Sequence, residues 1–282
     1  MTITARIIAN SISEDDVRLT TMELMYPRFI HAEFMTHRVF SRNASSSRAI
    51  PVAKMIEQVR TNPAVPIHFG KNQPGMQARE ELTGEACREV KADWMFVASV
   101  AAEAAKRMAA QGAHKQVVNR ILEPFQHIHV VVTATDWDNF FQLRAHDDAQ
   151  PEIRELALQM RAAMNASTPV PMQFLDWHLP YIQAHECQLH ATDVLRKCSA
   201  ARCARVSYLT HDGATPSIEK DLELFERLVG SVPIHASPTE HQATPAKWLT
   251  NLHGNFRGWV QHRKLIENPA ISLQPTTKGT HE

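Results

Sequence analysis

Residues 36–50 read Thr-His-Arg-Val-Phe-Ser-Arg-Asn-Ala-Ser-Ser-Ser-Arg-Ala-Ile. The stretch holds His37, three arginines (Arg38, Arg42 and Arg48), four serines and Asn43, and no carboxylate interrupts it. Guanidinium forks match the planar geometry of carboxylates and phosphates, and hydroxyls and amides add neutral donors. The chemistry on offer is recognition of an anion. Glycine is scarce, at nine residues, and neither G-x-G-x-x-G nor a Walker-type loop occurs. A bound nucleotide would therefore be held by side chains.

The order of these residues resembles the signature of the flavin-dependent thymidylate synthases, R-H-R-x-x-S-x-N-E-x-S-x-R-Y. His37, Arg38, Ser41, Asn43, Ser46 and Arg48 fall on it in register, while Thr36, Ala44 and Ala49 replace Arg, Glu and Tyr. A second block follows. Asn119–Pro124 stands where that family has A-R-x-x-L-P. Asn139-Phe140-Phe141-Gln142-Leu143-Arg144 matches N-F-x-x-L-R, and Ala149–Ile153 matches A-Q-x-E-I. Thr133 and Thr135 replace an Asn and an Arg before it. A third block is out of order. Ala204-Arg205-Val206-Ser207 and His235–His241 resemble A-R-V-S and H-x-T-P-F-E-H, which in the family precede the signature. The simplest reading is a circular permutation, which is tolerated where chain ends lie close together at a surface. With blocks at 29–50, 115–153 and 204–241, one domain over residues 1–268 and a polar tail over 269–282 are expected.

The resemblance implies an α/β (α+β) fold with helices around a central sheet. It also implies methylation at C5 of a pyrimidine deoxynucleotide, most simply dUMP to dTMP. FAD, methylenetetrahydrofolate and NADPH would be cofactors, since no side chain supplies a hydride or a one-carbon unit. Carried over residue by residue, Ser46, Arg48 and Arg120 would hold the phosphate. Each charge-assisted contact is worth about 1.5–3 kcal/mol. Arg144 would be the catalytic residue at the base edge, where a fixed cation stabilises developing negative charge. His37, Arg38, Asn43, Asn139 and Ser237 would contact flavin. Glu33 stands in place of a family glutamine beside the nucleotide. A homotetramer with sites shared between subunits is implied too.

Each assignment has a plainer alternative. Ser41 and Ser46 could be turn-forming hydroxyls, Arg144 a structural ion pair and Asn139 a helix-start residue. Glu33 also bears on the substrate: an ionised carboxylate only accepts, whereas an amide also donates. Cytosine offers an N4 donor where uracil offers O4. Methylation or hydroxymethylation of dCMP, hydroxymethylation of dUMP, and a non-catalytic nucleotide- or flavin-binding relative stand as alternatives.

Several elements must position these groups. Residues 2–12 read as a strand, and a longer strand is expected after Pro27, whose period of two puts Glu33 and His37 on one face. Pro63, Pro66, Gly70, Pro74 and Gly75 mark a turn-rich connection. Gln77–Ala110 reads as one long helix or two, stopped by Gly112. A short helix is expected at 114–123, a strand at 127–133, and a helix capped by Asp136 that projects Arg144 from an aromatic face. Pro151 opens a helix with an apolar stripe of Ile153, Leu156, Ala157, Met160 and Met164. Residues 165–203 read as irregular and 218–229 as an amphipathic helix.

Bulk composition narrows the partners. Thirty basic and thirty acidic residues give a formal net charge of zero, which argues against broad nucleic-acid binding. No apolar run approaches a membrane span. Without an export signal, Cys87, Cys187, Cys198 and Cys203 are expected as free thiols in the cytoplasm. The histidines and cysteines of 185–203 match no zinc spacing, so no metal is expected.

Overall fold

The computed structural model describes residues 3–207 and 217–273. Part of the third block, 208–216, and the end of the expected tail lie outside them.

Among the described residues, seven strands form two sheets: β1 (Thr4–Ser13), β2 (Arg18–Pro27), β3 (Ser41–Ala44), β4 (His127–Ala134), β5 (Val170–Met172), β6 (Ala243–Pro245) and β7 (Trp259–Gln261). The larger sheet runs β3-β4-β2-β1-β5; only the β1–β5 pair is parallel. β6 and β7 pair antiparallel. The helices are α1 (His31–Phe34), α2 (Val52–Thr61), α3 (Gly84–Ala110), α4 (Lys115–Val118), α5 (Asp138–Arg144), α6 (Pro151–Asn165), α7 (Ala184–Leu189), α8 (Thr192–Ala204), α9 (Ile218–Val229) and α10 (His262–Glu267). The mixed α/β architecture with a helix-flanked sheet is as expected.

β4 is buried on both faces, which explains its unbroken β-branched run. Val130 and Val132 join Met22, Leu24 and Tyr26 of β2 against Phe34, Phe140 and the α6 stripe of Ile153, Leu156, Ala157 and Met160. Val131 points the other way, to Cys203 and Val206. A separate core joins Met55 and Val59 of α2 to Ala98, Ala102 and Ala105 of α3.

Five expectations need correction. The segment after Pro27 is not a long strand but a 3-10 turn (Arg28–Ile30) followed by α1. Ile30, Phe34 and His37 are the buried positions, a spacing of four and three that is helical. The real strand is β2, whose Met-Glu-Leu-Met run favours helix by local propensity and is overridden by its place mid-sheet. The long helix begins at Gly84 rather than Gln77, because Gly70 and Glu81 form a backbone bridge before it. It ends as expected, with Gly112 at φ 83°. Residues 119–125 tighten into a 3-10 helix that contains Pro124. Asp136 does not cap α5; it takes a hydrogen bond from Thr135 and pairs with Arg257 at 2.6 Å, and Trp137 holds the cap position. Within 165–203 lies α8, buried almost all round and so without the one-sided stripe that marks a surface helix.

Candidate functional site

The chemistry gathers where α1 meets the end of α5. Arg144, the last residue of α5, donates from Nε to His37 Nε2 at 3.1 Å. Its Nη1 lies 3.5 Å from Glu33 Oε2 and its Nη2 3.5 Å from Thr36 Oγ1. The Thr36 hydroxyl in turn donates to the Glu33 carbonyl at 2.7 Å. His37 is buried, stacked on Phe40 and met edge-on by Phe140 at 4.9 Å. Burial first, then the Arg144 and Arg42 charges, lower its pKa. The ring is thus neutral near pH 7, with a lone pair on Nε2 for Arg144 and its proton on Nδ1. Arg42 braces the same turn from the other side, donating to the carbonyls of Met35 and His37 at 3.0 and 2.9 Å. Arg144 is therefore a fixed cation, and it lines a cleft of about 600 Å³ with Gln142, Leu143, His146, Asp148 and Ala149.

The serine-arginine loop is also tied down. Ser45 exchanges bonds with His129: its amide donates to the His129 carbonyl at 2.8 Å, and its Oγ accepts from the His129 amide at 3.1 Å. Asn119 donates to the carbonyls of Ser47 (2.6 Å) and Ile50 (3.0 Å), and Lys115 to that of Ala49 (3.1 Å). Ser46 Oγ accepts from the Arg48 amide at 3.3 Å, a turn contact, while the Arg48 side chain is exposed. Arg120, half-exposed, bonds Glu123 at 2.9 Å, and Ser47 Oγ donates to the same carboxylate oxygen at 2.6 Å. Arg120 is thus tied to the serine-arginine loop through Glu123 and Ser47.

The remaining candidates flank edge strand β3. Asn43 faces the Val131 side, with Nδ2 3.5 Å from the Cys203 carbonyl. Ser237 opens a 3-10 turn (Ser237–Glu240) packed on β3 from that side. Arg42, on the opposite face, points toward His37. Arg38 is exposed without a partner among the described residues, and Asn139 is exposed on α5. Single motif residues that look alike in sequence therefore divide between two sides of one strand.

Thr133 and Thr135 have taken other roles. Thr133 Oγ1 lies 2.7 Å from Thr21 Oγ1 and 2.8 Å from His241 Nδ1. Thr21 continues to His178 Nε2, and His178 Nδ1 to Ser11 Oγ, each at 2.8 Å. Burial pushes both histidines down to about 3, so the chain of five is uncharged. Thr135 accepts from the Arg257 amide at 3.0 Å. Sequence reasoning missed His178, Arg28 and Glu123: the first two lie outside every matched motif, and Glu123 stands where the motif has leucine.

Comparison with known proteins places this arrangement. A family model described as thymidylate synthase complementing protein matches residues 18–170. The solved UMP/dUMP methylase PolB of Streptomyces cacaoi, bound with 5-Br UMP, is 19% identical with a TM-score of 0.51, covering 58% of this chain and 88% of that one. The same protein with 5-Br dUMP gives 18%, 0.49, 58% and 90%. At such identity the likeness is one of fold. No curated protein matches the chain. Since the family match spans more than half of the residues, the chain belongs to the thymidylate synthase complementing proteins, a family of enzymes.

Proposed function

We propose that the protein methylates C5 of a pyrimidine deoxynucleotide, most simply converting dUMP to dTMP. The observation that carries this reading is Arg144, fixed by His37 and Glu33 at the mouth of a cleft, in a chain of this family. For C5 to attack an electrophilic carbon, electron density must build on the ring and its carbonyl oxygens. A guanidinium already held in place stabilises that charge without reorganising. Arg144 takes that catalytic role, Glu33 stands beside the base, and Ser46, Arg48 and Arg120 receive the 5′-phosphate.

His37, Arg38, Asn43, Asn139 and Ser237 would hold FAD. Their chemistry fits: a free guanidinium, two amides, a hydroxyl and a neutral imidazole suit a pyrophosphate and a polar ring, and the set flanks edge strand β3 on both sides. When bound, reduced FAD supplies the hydride and methylenetetrahydrofolate the carbon, with NADPH as reductant. Residues 1–268 act as one domain whose third block has moved by circular permutation; that block packs against β3 and β4. A homotetramer follows from the same reading, supported by the exposed apolar Val90, Met95, Phe96, Val97 and Val100 of α3. Among the described residues no helix is long and apolar enough to cross a membrane, and we place the enzyme in the cytoplasm.

A second reading, activity on dCMP or a hydroxymethyl product, draws on the Glu33 carboxylate beside Arg144. The test is a product assay with FAD, NADPH, methylenetetrahydrofolate and either dUMP or dCMP, read by mass spectrometry. A methyl increment on dUMP is expected. A hydroxymethyl increment, or turnover of dCMP alone, selects the second reading. No product from either nucleotide, with flavin bound, refutes both.

A further inference from the structure

We propose that Glu123 is a positioning residue for the phosphate anchor, and that Arg28, which lies outside every matched motif, is the anchor's additional guanidinium. The inference rests on the reading above that Ser46, Arg48 and Arg120 receive the nucleotide phosphate. One oxygen, Glu123 Oε1, gathers three donors: Ser47 Oγ at 2.6 Å, Arg120 Nη1 at 2.9 Å and Arg28 Nη2 at 3.2 Å. Arg28 also reaches back from Nη1 toward the Ser45 carbonyl at 3.5 Å. The three donors come from separate elements. Arg28 follows β2, Ser47 lies in the loop after β3, and Arg120 stands with Glu123 on the 3-10 turn before β4. The side chains of Arg28 and Glu123 are only 19% and 22% exposed, against 54% for Arg120.

Two guanidiniums brought together repel unless a counter-charge stands between them. One carboxylate between two cations leaves a net positive charge, and Arg48 in the same loop adds another. Each arginine has five N–H donors and spends few of them on Glu123. The remainder, held in fixed directions, suit a phosphate dianion. At the position of Glu123 the family motif has leucine, which could gather nothing. The carboxylate is thus a device of this chain, and it recruits an arginine from the turn that follows β2.

The test measures equilibrium binding of dUMP and of deoxyuridine to the FAD-loaded protein, so that the ratio isolates the phosphate. Wild type should prefer dUMP strongly. Arg28→Ala should weaken dUMP by about ten- to a hundredfold while leaving deoxyuridine unchanged, the worth of one charge-assisted contact. Glu123→Leu should cut the preference comparably, and Glu123→Asp, which keeps the counter-charge, should retain more of it than Glu123→Leu does. In turnover the losses should appear in KM rather than kcat. A misfolded variant would lose deoxyuridine as well, which separates collapse from lost positioning. If wild type prefers dUMP and Arg28→Ala keeps that preference, the inference is overturned and the phosphate site stands. If wild type itself shows no preference, the phosphate site and the inference fall together.

Discussion

Lowering the pH from 7 to 5 should strongly destabilise this protein, and the buried histidines set the size of the effect. His178 and His241 are fully buried, linked through Thr21 and Thr133, and depressed to about 3; His262 is depressed to about 3 as well. In the unfolded chain each returns to about 6.5. The unfolded state therefore binds more protons between those limits. Stability is fully present above about pH 6.5 and is lost as pH falls toward 3. Integrating between pH 7 and 5 gives about 2 kcal/mol for each histidine, or about 6 kcal/mol for three. Domains of ordinary stability have about 5–15 kcal/mol in total. Urea unfolding at pH 7, 6 and 5, followed by tryptophan fluorescence, measures the loss directly. His241→Asn, whose amide can reach Thr133, should be less stable at pH 7 but should lose about a third of the pH dependence. An unfolding free energy at pH 5 within 1 kcal/mol of the pH 7 value would refute the assignment of these rings as neutral and buried.

Other consequences are as direct. Arg144→Ala should lower kcat by about a hundred- to a thousandfold, as for loss of one preorganised donor, with flavin absorbance retained; turnover within tenfold of wild type would remove Arg144 from catalysis. Glu33→Gln should shift the ratio of dUMP to dCMP affinity toward dUMP, because an amide can donate to O4; an unchanged ratio would end the base-reading role. Arg202 donates to Glu186 at 2.6 and 2.7 Å and to Asp221 at 2.7 Å, all buried. Arg202→Met should therefore cost about 3–5 kcal/mol in chemical denaturation by stranding the Glu186 carboxylate, while Asp221 keeps Arg205, and a loss below 1 kcal/mol would count against that network.

The sequence by itself determined the elements whose periodicity is local and one-sided. The α6 stripe, the α9 helix over 218–229, the β4 run and the Gly112 stop all appear as read. It determined the family too, since His37, Arg38, Ser41, Asn43, Ser46 and Arg48 keep a fixed spacing whatever surrounds them. What it could not decide was which residues meet. Pattern alone put Glu33 and His37 on one face of a strand; in the structure they share a site because α1 and its following turn carry both to Arg144, more than a hundred residues on. Strand β2 stayed hidden because its identity comes from hydrogen bonds to β1 and β4, not from its own residues. Glu123 departs from its motif and Arg28 lies outside every one, and the pair gains meaning only from the 3.2 Å between them. The physical reason is common to all of these. Periodicity and propensity act over one or two turns of chain, whereas a charged site is built by long-range contacts that the core alone brings into register.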